Sequence, residues 1–522
     1  MPILGSIIKG AIAFPSKIPF EKIRKLTPAK QQEATLRKLI SRAQYTALGE
    51  EYGFDEMLRE KNLIKKFKAT VPLNDYNSIH QKWWYRTLHG ESFVAWPGKV
   101  KYFALSSGTS EATSKYIPVT SDMLKAIKRT SIRQIFSLAK YDFPRDFYEK
   151  GILMLGGSTH LLFNGTYYEG DLSGITTGNI PFWFQHFYKP GNRISKERDW
   201  TTKLDEIVKK AKDWDIGVIV GVPAWLQILM ERIIDHYKVD NIHDIWPNLS
   251  IYVHGGVSFA PYQKTFEKLL AKPLTYIETY LASEGFIAFQ SRPNTNGMQL
   301  VLDNGLFYEF VPFNSEMVEF TDLDDDGNVN PNATTLTIGE VEEGKEYALL
   351  LSSCAGAWRY MIGDTVKFTS KEKSEIIITG RIKHYLNLCG EHLSQDNMNR
   401  AIQMLEEQIN ISVPEFTVAG IKHESMFAHK WYLGVSGDWK AIDEQMVKQQ
   451  IDQNLKDLND DYRVERIAAI RDVKVELLPL ELFYKYMKTL GKEGGQHKFP
   501  RVIKKDQLTR WEEYLDNNFR KI

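Results

Sequence analysis

The chain is poor in cysteine and has no long apolar run. Its 522 residues include 2 cysteines, Cys354 and Cys389. Two thiols are too few for a disulfide framework or a four-thiolate zinc site, and such sparing use fits a reducing compartment. No stretch of the sequence reaches the about 18 uninterrupted apolar residues that a membrane-spanning helix needs. We therefore expect a cytoplasmic protein without a membrane span.

An excess of charge of either sign is also missing. Lys and Arg together number 67 and Asp and Glu 66, which gives a formal net charge of +1. A balanced chain offers no long-range field to nucleic acid or to an anionic membrane. We expect no nucleic-acid partner, and recognition must come from a local site. The chain is long enough for two or three domains with sizeable cores.

The segment from Met1 to Phe14 is mildly apolar. Lys9 interrupts it, and no small-residue cleavage site follows a continuous apolar core. An export signal would need both a continuous core and such a site. The segment predicts an amphipathic helix that packs on the body of the protein.

Hydrophobic patterning changes along the chain. Residues 19–87 have apolar side chains at helical spacing and predict helices beside a sheet. From Tyr102 onward, short β-type runs alternate with amphipathic helices, which is typical of an α/β sheet with helices on its faces. After Glu284, β-rich segments with turn signals predict a mixed sheet or distorted barrel. Helices expected at 397–408 and 441–458 alternate with strands near the end.

These patterns predict an α/β fold in two domains. The first, residues 1–379, combines mixed β-sheets flanked by helices with a β-barrel-like subdomain. The second, residues 380–522, is a smaller α+β cap of about 140 residues, enough for a separate domain. The boundary follows Thr379 because Gly380 tolerates large backbone changes and suits a hinge.

The segment 105–119 packs hydroxyls, a glycine and a lysine between apolar flanks. Hydroxyl and amide donors around a tight turn can hold an anion, and a nearby lysine adds positive charge. A solvated Ser/Thr turn has the same composition, so this segment alone leaves both interpretations open. The residues concerned are Ser106, Ser107, Gly108, Thr109, Ser110 and Lys115.

Two other motifs imitate nucleotide and metal sites but lack a required group. Gly339–Lys345 has Walker spacing, yet Glu346 stands where magnesium needs Ser or Thr, so we expect a charged turn. Asp322–Asn328 resembles half of a calcium loop, but Ala333 replaces the bidentate Glu. The sequence also has no His-Glu-x-x-His or Gly-x-Ser-x-Gly motif, the usual signatures of metalloproteases and serine hydrolases.

Three further segments combine polar groups in a way that suits a nucleotide. In Tyr276–Gly285, a strand end, a carboxylate can hold magnesium against phosphate and a tyrosine can cover a purine. In Trp358–Val366, Asp364 follows a glycine at a predicted turn and suits a ribose diol. Gly494–Arg501 is a basic, glycine-containing loop. Each has a structural alternative: a plain strand end, a turn cap and a solvated loop.

Taken together, these segments have an order and spacing similar to those of the Gretchen Hagen three (auxin-responsive) acyl acid amido synthetases of the adenylate-forming (ANL) superfamily. The chain resembles a bacterial-type member of that family. Ser106–Ser110 with Lys115–Pro118 looks like the first nucleotide motif of that family. Tyr280–Glu284 resembles the second motif and Arg359–Asp364 the third. The match spans nearly the whole chain.

The resemblance implies roles for individual residues. Lys498 would reach the carboxylate and phosphate during adenylation, Glu284 would be catalytic by holding Mg²⁺, and Arg381 would be the hinge arginine near the ribose. His254–Val257 falls where the family wraps the adenine. The implied ATP-binding residues are Ser106, Ser107, Gly108, Thr109, Ser110, Lys115, Gly255, Gly256, Thr279, Tyr280, Asp364, Arg381 and Lys383.

The implied reaction has two halves. ATP adenylates a small carboxylic acid to acyl-AMP with release of pyrophosphate, and an amino acid amine then takes the acyl group and releases AMP. One alternative is an acyl-CoA ligase, which shares the first half. Another is a nucleotide-binding scaffold that has lost catalysis.

The sequence departs from the family pattern in three places. Glu111-Ala112 stands where many relatives carry glycine, Met361 where plant relatives often place an arginine, and Leu281 alters the second motif. Aromatic residues between Tyr167 and Tyr188, including Phe182, Trp183, Phe184 and Phe187, can line an acyl pocket, although such a cluster also suits a core or an interface.

Overall fold

The computed structural model describes residues 26–106, 115–180, 184–256, 259, 263–313, 334–382, 385–386, 391, 393–424, 426–490, 499–503 and 505–520. The predicted helix at Met1–Phe14 and the acidic loop at Asp322 lie outside these residues. The chain divides into two compact units. One comprises Met1–Leu105 and Tyr116–Ile382, and the other Ser106–Lys115 and Lys383–Ile522.

The first unit contains two sheets. The strands described up to residue 382 are β1 Tyr102–Ser106, β2 Lys115–Val119, β3 Gly151–Met154, β4 Leu162–Phe163, β5 Tyr168–Gly170, β6 Tyr188–Lys189, β7 Ile216–Val220, β8 Ile251–Gly255, β9 Thr275–Ala282, β10 Gly285–Phe289, β11 Met298–Leu300, β12 Leu306–Phe313, β13 Glu346–Ser353, β14 Tyr360–Ser370 and β15 Glu375–Arg381.

Helices of this unit flank the sheets. They are α1 Pro28–Ala43, α2 Ala47–Glu51, α3 Phe54–Met57, α4 Leu63–Thr70, α5 Tyr76–Ile79, α6 Tyr85–Leu88, α7 Ser121–Ser137, α8 Leu172–Thr177, α9 Asn192–Ser195, α10 Trp200–Lys210, α11 Pro223–Tyr237 and α12 Gln263–Glu267.

The large sheet has 11 strands in the order β12-β13-β14-β15-β11-β10-β9-β8-β7-β3-β6. Pairing is parallel from β6 through β3, β7 and β8 to β9. From β9 onward every pair is antiparallel. The smaller sheet has the order β2-β1-β5-β4. The predicted α/β architecture is confirmed, with alternating strands and helices in the parallel half and β-rich segments in the antiparallel half.

Local sequence explains these elements. Ile216–Val220 is an unbroken apolar run because parallel strands are covered on both faces. Helix α1 begins with the Thr27 cap and Pro28 at its first position. The amide of Gln32, buried on the inner face of α1, donates to the Leu302 and Leu306 carbonyls. This helix therefore packs firmly against β12.

The second unit is an α+β structure, as predicted. Its strands β18 (Glu415–His423), β19 (Met426–Val435) and β20 (Ile470–Pro479) form a sheet in which β18 and β19 pair antiparallel and β19 and β20 pair parallel. Its elements are β16 Tyr385–Leu386, β17 Leu393–Ser394, α13 Gln395–Ile409, β18 Glu415–His423, β19 Met426–Val435, α14 Glu444–Leu458, α15 Asp460–Ala468, β20 Ile470–Pro479, α16 Glu481–Thr489 and α17 Lys505–Leu515.

A buried ion pair fixes the start of β14. The Arg359 guanidinium donates to Glu309 at 2.9 Å, and the two side chains are 5% and 1% exposed. It also donates to the Lys68 and Val71 carbonyls, both at 2.8 Å. The backbone of Arg359 has a φ of 44°, a left-handed conformation that a non-glycine residue rarely adopts. A buried charge is costly unless it is paired. The hydrogen bonds to Glu309, Lys68 and Val71 therefore hold Arg359 in this conformation.

We expect Arg359→Met to lower the free energy of unfolding by about 3–5 kcal/mol, because it leaves the Glu309 carboxylate buried and unpaired. Urea unfolding followed by circular dichroism measures the loss. The matched control is Arg133→Met, which breaks the Arg133–Asp303 pair, exposed by about half on both sides, and should cost about 1 kcal/mol or less. Equal losses for the two variants would contradict a structural role of the buried pair.

Candidate functional site

The candidate site lies at the carboxyl ends of the parallel strands β8 and β9. Ligands of open α/β sheets bind outside such ends, where the strand order or direction changes. Gly255 ends β8 and pairs with Thr279 of β9. A Cβ on Gly255 would lie 2.3 Å from the Thr279 carbonyl oxygen, so only glycine permits this approach. Gly256 follows with φ of 82°, and the structure thus brings three predicted nucleotide residues together.

The predicted metal ligand Glu284 lies in the turn between β9 and β10. Its side chain is buried, and the residue is 7% exposed. The described residues contain no group of three or more His, Cys, Asp or Glu side chains that could hold a metal ion. Magnesium is usually held by one or two carboxylates together with substrate phosphates. Glu284 is a carboxylate of the kind that can hold magnesium together with nucleotide phosphates.

Two predicted nucleotide residues from distant motifs are in contact. The Tyr280 hydroxyl donates a hydrogen bond to Oδ2 of Asp364. Tyr280 belongs to β9 and Asp364 to β14, and three strands, β10, β11 and β15, separate these in the sheet. Adjacent strands lie about 4.8 Å apart, so a side chain could not bridge this span in a flat sheet. The antiparallel half must curl, as the predicted barrel-like subdomain requires.

The local setting predicted for Asp364 was wrong. It does not lie at a turn but inside the strand Tyr360–Ser370, opposite Arg381 of β15. The preceding Gly363 has φ of 93°, and the register shifts between Thr365 and Val366. A glycine in this conformation kinks a strand and re-aims the next side chain without ending the strand.

The structure places the remaining predicted residues unevenly. Arg381 ends β15, opposite Asp364, and its side chain lies outside the described part of the chain. Ser106 ends β1 and Lys115 begins β2, so they flank the predicted phosphate loop. Ser107, Gly108, Thr109, Ser110, Lys383 and Lys498 are not among the described residues. Their roles stay predictions.

His254 is a site residue whose environment the sequence analysis did not predict. It is 8% exposed, and its Nδ1 has no hydrogen-bond partner among the described residues. Its ring centre lies 5.3 Å from that of Tyr252 and 5.1 Å from that of Phe259. Burial lowers the pKa of His254 to about 4. The end of β8 before Gly255 therefore carries an uncharged cluster of aromatic rings, formed by Tyr252, His254 and Phe259.

Met361 in the third motif has a packing explanation. It is buried in a cluster with Leu73, Val311, Leu350 and Ile382. An arginine at this position would place a charge among apolar side chains, which is costly unless it is paired. The departure from the plant pattern therefore suits the local core of this chain.

The segment after Lys498 is anchored, although the sequence also allowed a wholly solvated loop up to Arg501. Phe499 is 3% exposed and belongs to the core of the second unit. Arg501 donates to Glu415 at 2.7 Å, and its carbonyl accepts from the Val418 amide at 2.9 Å. These contacts fix residues 499–503 to β18.

The Walker-like segment Gly339–Lys345 is a charged turn before β13, as predicted. Lys345 pairs with Glu342 at 2.8 Å, and both side chains are exposed. Among the aromatic residues considered for an acyl pocket, Phe184 and Phe187 are half-buried. Phe182 and Trp183 lie outside the described residues.

Family models match most of the chain. The model of the GH3 family N-terminal domain matches residues 20–204, that of the central domain residues 299–377 and that of the C-terminal domain residues 396–507. All the segments matched belong to the same family, and they follow one another in the family's order.

Curated relatives are distant in sequence. A jasmonoyl–L-amino acid synthetase of Nicotiana attenuata is 20% identical over 67% of this chain and 68% of the relative. An indole-3-acetic acid-amido synthetase of Arabidopsis thaliana is 25% identical over 50% of this chain and 45% of the relative. The matched part of this chain therefore spans about two thirds of the length of the first relative and about half of the length of the second.

Solved structures share the fold over nearly the full length. The GH3.15 acyl acid amido synthetase in complex with 2,4-DB superposes with a TM-score of 0.57 at 15% identity, covering 99% of this chain and 97% of that one. A 2-hydroxyisobutyryl-CoA ligase gives a TM-score of 0.57 at 12% identity, covering 94% and 92%. At such identities the likeness shows the fold alone.

Across the described residues, the helices are all too short or too polar to span a bilayer.

The neutral state of His254 makes stability depend on pH. The pKa of His254 is about 4 in the folded chain against an ordinary histidine value of 6.5, so between these pH values the unfolded chain binds a proton that the folded chain does not. The contribution of neutral His254 to the free energy of unfolding is fully present above pH 6.5. It is lost as the pH falls towards 4, and the loss is up to about 3 kcal/mol.

We expect His254→Phe to reduce this acid sensitivity, because phenylalanine keeps the aromatic packing and cannot titrate. The measurement is the free energy of unfolding at pH 7 and pH 4.5. Between pH 7 and pH 4.5, the free energy of unfolding of the wild type should fall by about 2 kcal/mol more than that of the variant. The exposed His236→Asn serves as the control and should behave as wild type; an unchanged pH profile for His254→Phe would refute the assignment.

Proposed function

Because the chain belongs to the GH3 family, we propose that it is an ATP-dependent acyl acid amido synthetase that joins a small carboxylic acid to an amino acid. The family predicted from the motifs is confirmed, and with it the class of enzyme: a ligase that forms an amide between an acid and an amino acid. Use of ATP follows from the adenylate-forming class. Magnesium, the acid and the amino acid are proposals.

One observation supports the proposal most strongly. The second and third motifs, which lie 84 residues apart at Tyr280 and Asp364, are joined by a side-chain hydrogen bond. Gly255 pairs with Thr279, the residue before Tyr280. Residues predicted for adenine and ribose thus lie on β8, β9 and β14 of one sheet, and the predicted metal ligand Glu284 lies in the turn that follows β9.

In the first half-reaction, a substrate carboxylate oxygen attacks the α-phosphorus of ATP. The new oxygen–phosphorus bond gives acyl-AMP, and the bond to the β-phosphate breaks with departure of pyrophosphate. The protein has to position the reactants and balance charge, since no proton transfer is needed. We assign the phosphates to Ser107, Thr109 and Ser110 with Lys115, and the ribose to Asp364.

Lys498 would neutralise charge that develops at the α-phosphate. Magnesium, when bound by Glu284, would supply further positive charge to the phosphate oxygens. In the second half-reaction, the amino group attacks the acyl carbonyl and AMP leaves. We propose residues 1–379 as the adenylation domain and residues 380–522 as a mobile domain carrying Lys498, in a cytoplasmic enzyme.

Pyrophosphate release in the presence of a panel of aryl, indolyl and fatty acids tests the first half-reaction. We expect Glu284→Ala to reduce the rate by at least about 100-fold, because it removes the proposed metal ligand. Glu309→Gln is no suitable control, since it disturbs the buried ion pair; the exposed Glu342→Ala is suitable. Near-normal turnover of Glu284→Ala with a normal melting curve would refute its metal role.

Lys498→Ala separates the two halves of the reaction. Adenylation should fall by about 100-fold or more, because a developing charge loses its partner, while transfer from preformed acyl-AMP to an amino acid should change little. Single-turnover measurements of both steps provide the comparison, and Lys488→Ala, on α16 of the same unit, is the control. Similar losses in both halves would show that Lys498 is not specific to adenylation.

The fold shared with a CoA ligase makes that activity the second candidate. The discriminating assay replaces the amino acid with coenzyme A and follows AMP formation. Product formation with amino acids and none with coenzyme A supports the amido synthetase. Thioester formation alone would assign the chain to the other class, and neither product with any acid would favour a non-catalytic scaffold.

A further inference from the structure

The hydrogen bond between Tyr280 and Asp364 has a consequence for nucleotide selection. We infer that the Tyr280 hydroxyl is a positioning group that orients the Asp364 carboxylate and thereby sets the preference for a nucleotide with both ribose hydroxyls. The inference rests on the proposed function, since it assumes that Asp364 receives the ribose. It assigns to Tyr280 a task beyond covering the purine.

Tyr280 is held rigidly enough for such a task. Its residue is 5% exposed and belongs to the main hydrophobic core with Phe286 and Ala288. On one side its strand pairs with β10, where Tyr280 lies opposite Ala288. On the other side the preceding Thr279 pairs with Gly255. The ring therefore has little freedom, and its hydroxyl is presented at a fixed place.

The hydrogen bond from Tyr280 constrains the direction of the Asp364 carboxylate. An aspartate carboxylate rotates broadly about its last torsion, and the strand that carries it is irregular next to this residue. The carbonyl of Gly363 accepts from the Ile382 amide at 2.9 Å, and the register shifts one residue beyond Asp364. A phenol donating to a carboxylate forms a strong, charge-assisted hydrogen bond.

The same carboxylate can still serve a ribose. Its two oxygens offer about four lone-pair sites, and the hydrogen bond from Tyr280 occupies only one of them. The bond fixes the plane of the carboxylate relative to β9, the strand that leads to Glu284. Because Asp364 is 6% exposed, water competes little for these positions. Two oriented acceptors favour a diol over a single hydroxyl.

Removing the hydroxyl should therefore change selectivity, not only affinity. Without its donor, the carboxylate turns to whichever groups remain, and it no longer presents two acceptors at the spacing of a diol. A loss of packing alone would weaken all adenine nucleotides by the same factor. The ratio of the dissociation constants of the deoxynucleotides to that of ATP thus distinguishes a positioning role of the Tyr280 hydroxyl from general structural support.

The experiment is equilibrium binding of ATP, 2′-deoxy-ATP and 3′-deoxy-ATP to the full chain, followed by calorimetry. Wild type should bind ATP at least about 10-fold more tightly than either deoxynucleotide, the usual effect of a hydrogen bond to a charged group. In Tyr280→Phe we expect this preference to fall below about 3-fold.

Tyr308→Phe is the matched control. The Tyr308 hydroxyl is also buried and donates to the carbonyls of Ile287 and Val301 at 3.1 and 3.2 Å. Its loss removes hydrogen bonds from the same core but none to a carboxylate, so the nucleotide preference should stay at the wild-type value. Melting temperatures of both variants establish that they are folded, and Tyr280→Met replaces Tyr280→Phe if the latter does not fold.

A double-variant cycle adds a second test. Asp364→Asn should lose the preference, and Tyr280→Phe combined with Asp364→Asn should lose no more than Asp364→Asn alone, because both act on one group. Additive losses would overturn the inference, as would Tyr280→Phe binding all three nucleotides more weakly by one common factor.

Two other outcomes are distinguishable from these. If wild type binds the three nucleotides equally, Asp364 does not recognise the ribose; the inference then fails while the ligase proposal stands. If wild type binds no adenine nucleotide, the proposed function fails and the inference fails with it.

Discussion

The candidate site depends on the change of strand direction at β9. This strand pairs parallel with β8 on one side and antiparallel with β10 on the other. The parallel side brings Gly255 at the end of β8 against Thr279, and the antiparallel side leads through a tight turn at Glu284. Beyond this turn the sheet curls until β14 meets β9 at Asp364 and Tyr280. A nucleotide site made of distant motifs requires that curl.

Burial determines which of these polar groups can do chemistry. Glu284 and Asp364 are nearly inaccessible to solvent, so each interacts strongly with any charge or hydrogen-bond donor nearby. The same physics makes an unpaired buried charge costly. The Arg359–Glu309 pair holds the start of the strand that carries Asp364. In the second unit, Phe499 and Arg501 attach the residues beyond Lys498 to a sheet. The described residues of the candidate site therefore belong to, or adjoin, ordered elements of the fold.

Much of the fold and part of the site follow from sequence alone. Alternating apolar periodicities identified the α/β core, because local periodicity reflects which face of an element is buried. Spacing identified the motifs at Tyr280 and Asp364. Their contact was not predictable, since it depends on the curvature of a sheet over several strands. Asp364 was assigned to a turn because Gly363 is a turn signal, whereas pairing with β15 continues the strand at Asp364 while the pairing with β13 skips residues 362–364 as a bulge. The burial of Phe499 was equally hidden, because its partners Phe483 and Trp511 are close only in space.

The central claim is that the acid is activated as an acyl-adenylate. The most direct test labels the carboxylate of an accepted acid with ¹⁸O and follows the isotope by mass spectrometry during amide formation. Attack of a carboxylate oxygen on the α-phosphorus transfers that oxygen to the nucleotide, so AMP should gain one ¹⁸O for each amide formed. Amide formation with unlabelled AMP, or with label in inorganic phosphate and release of ADP, would contradict the account.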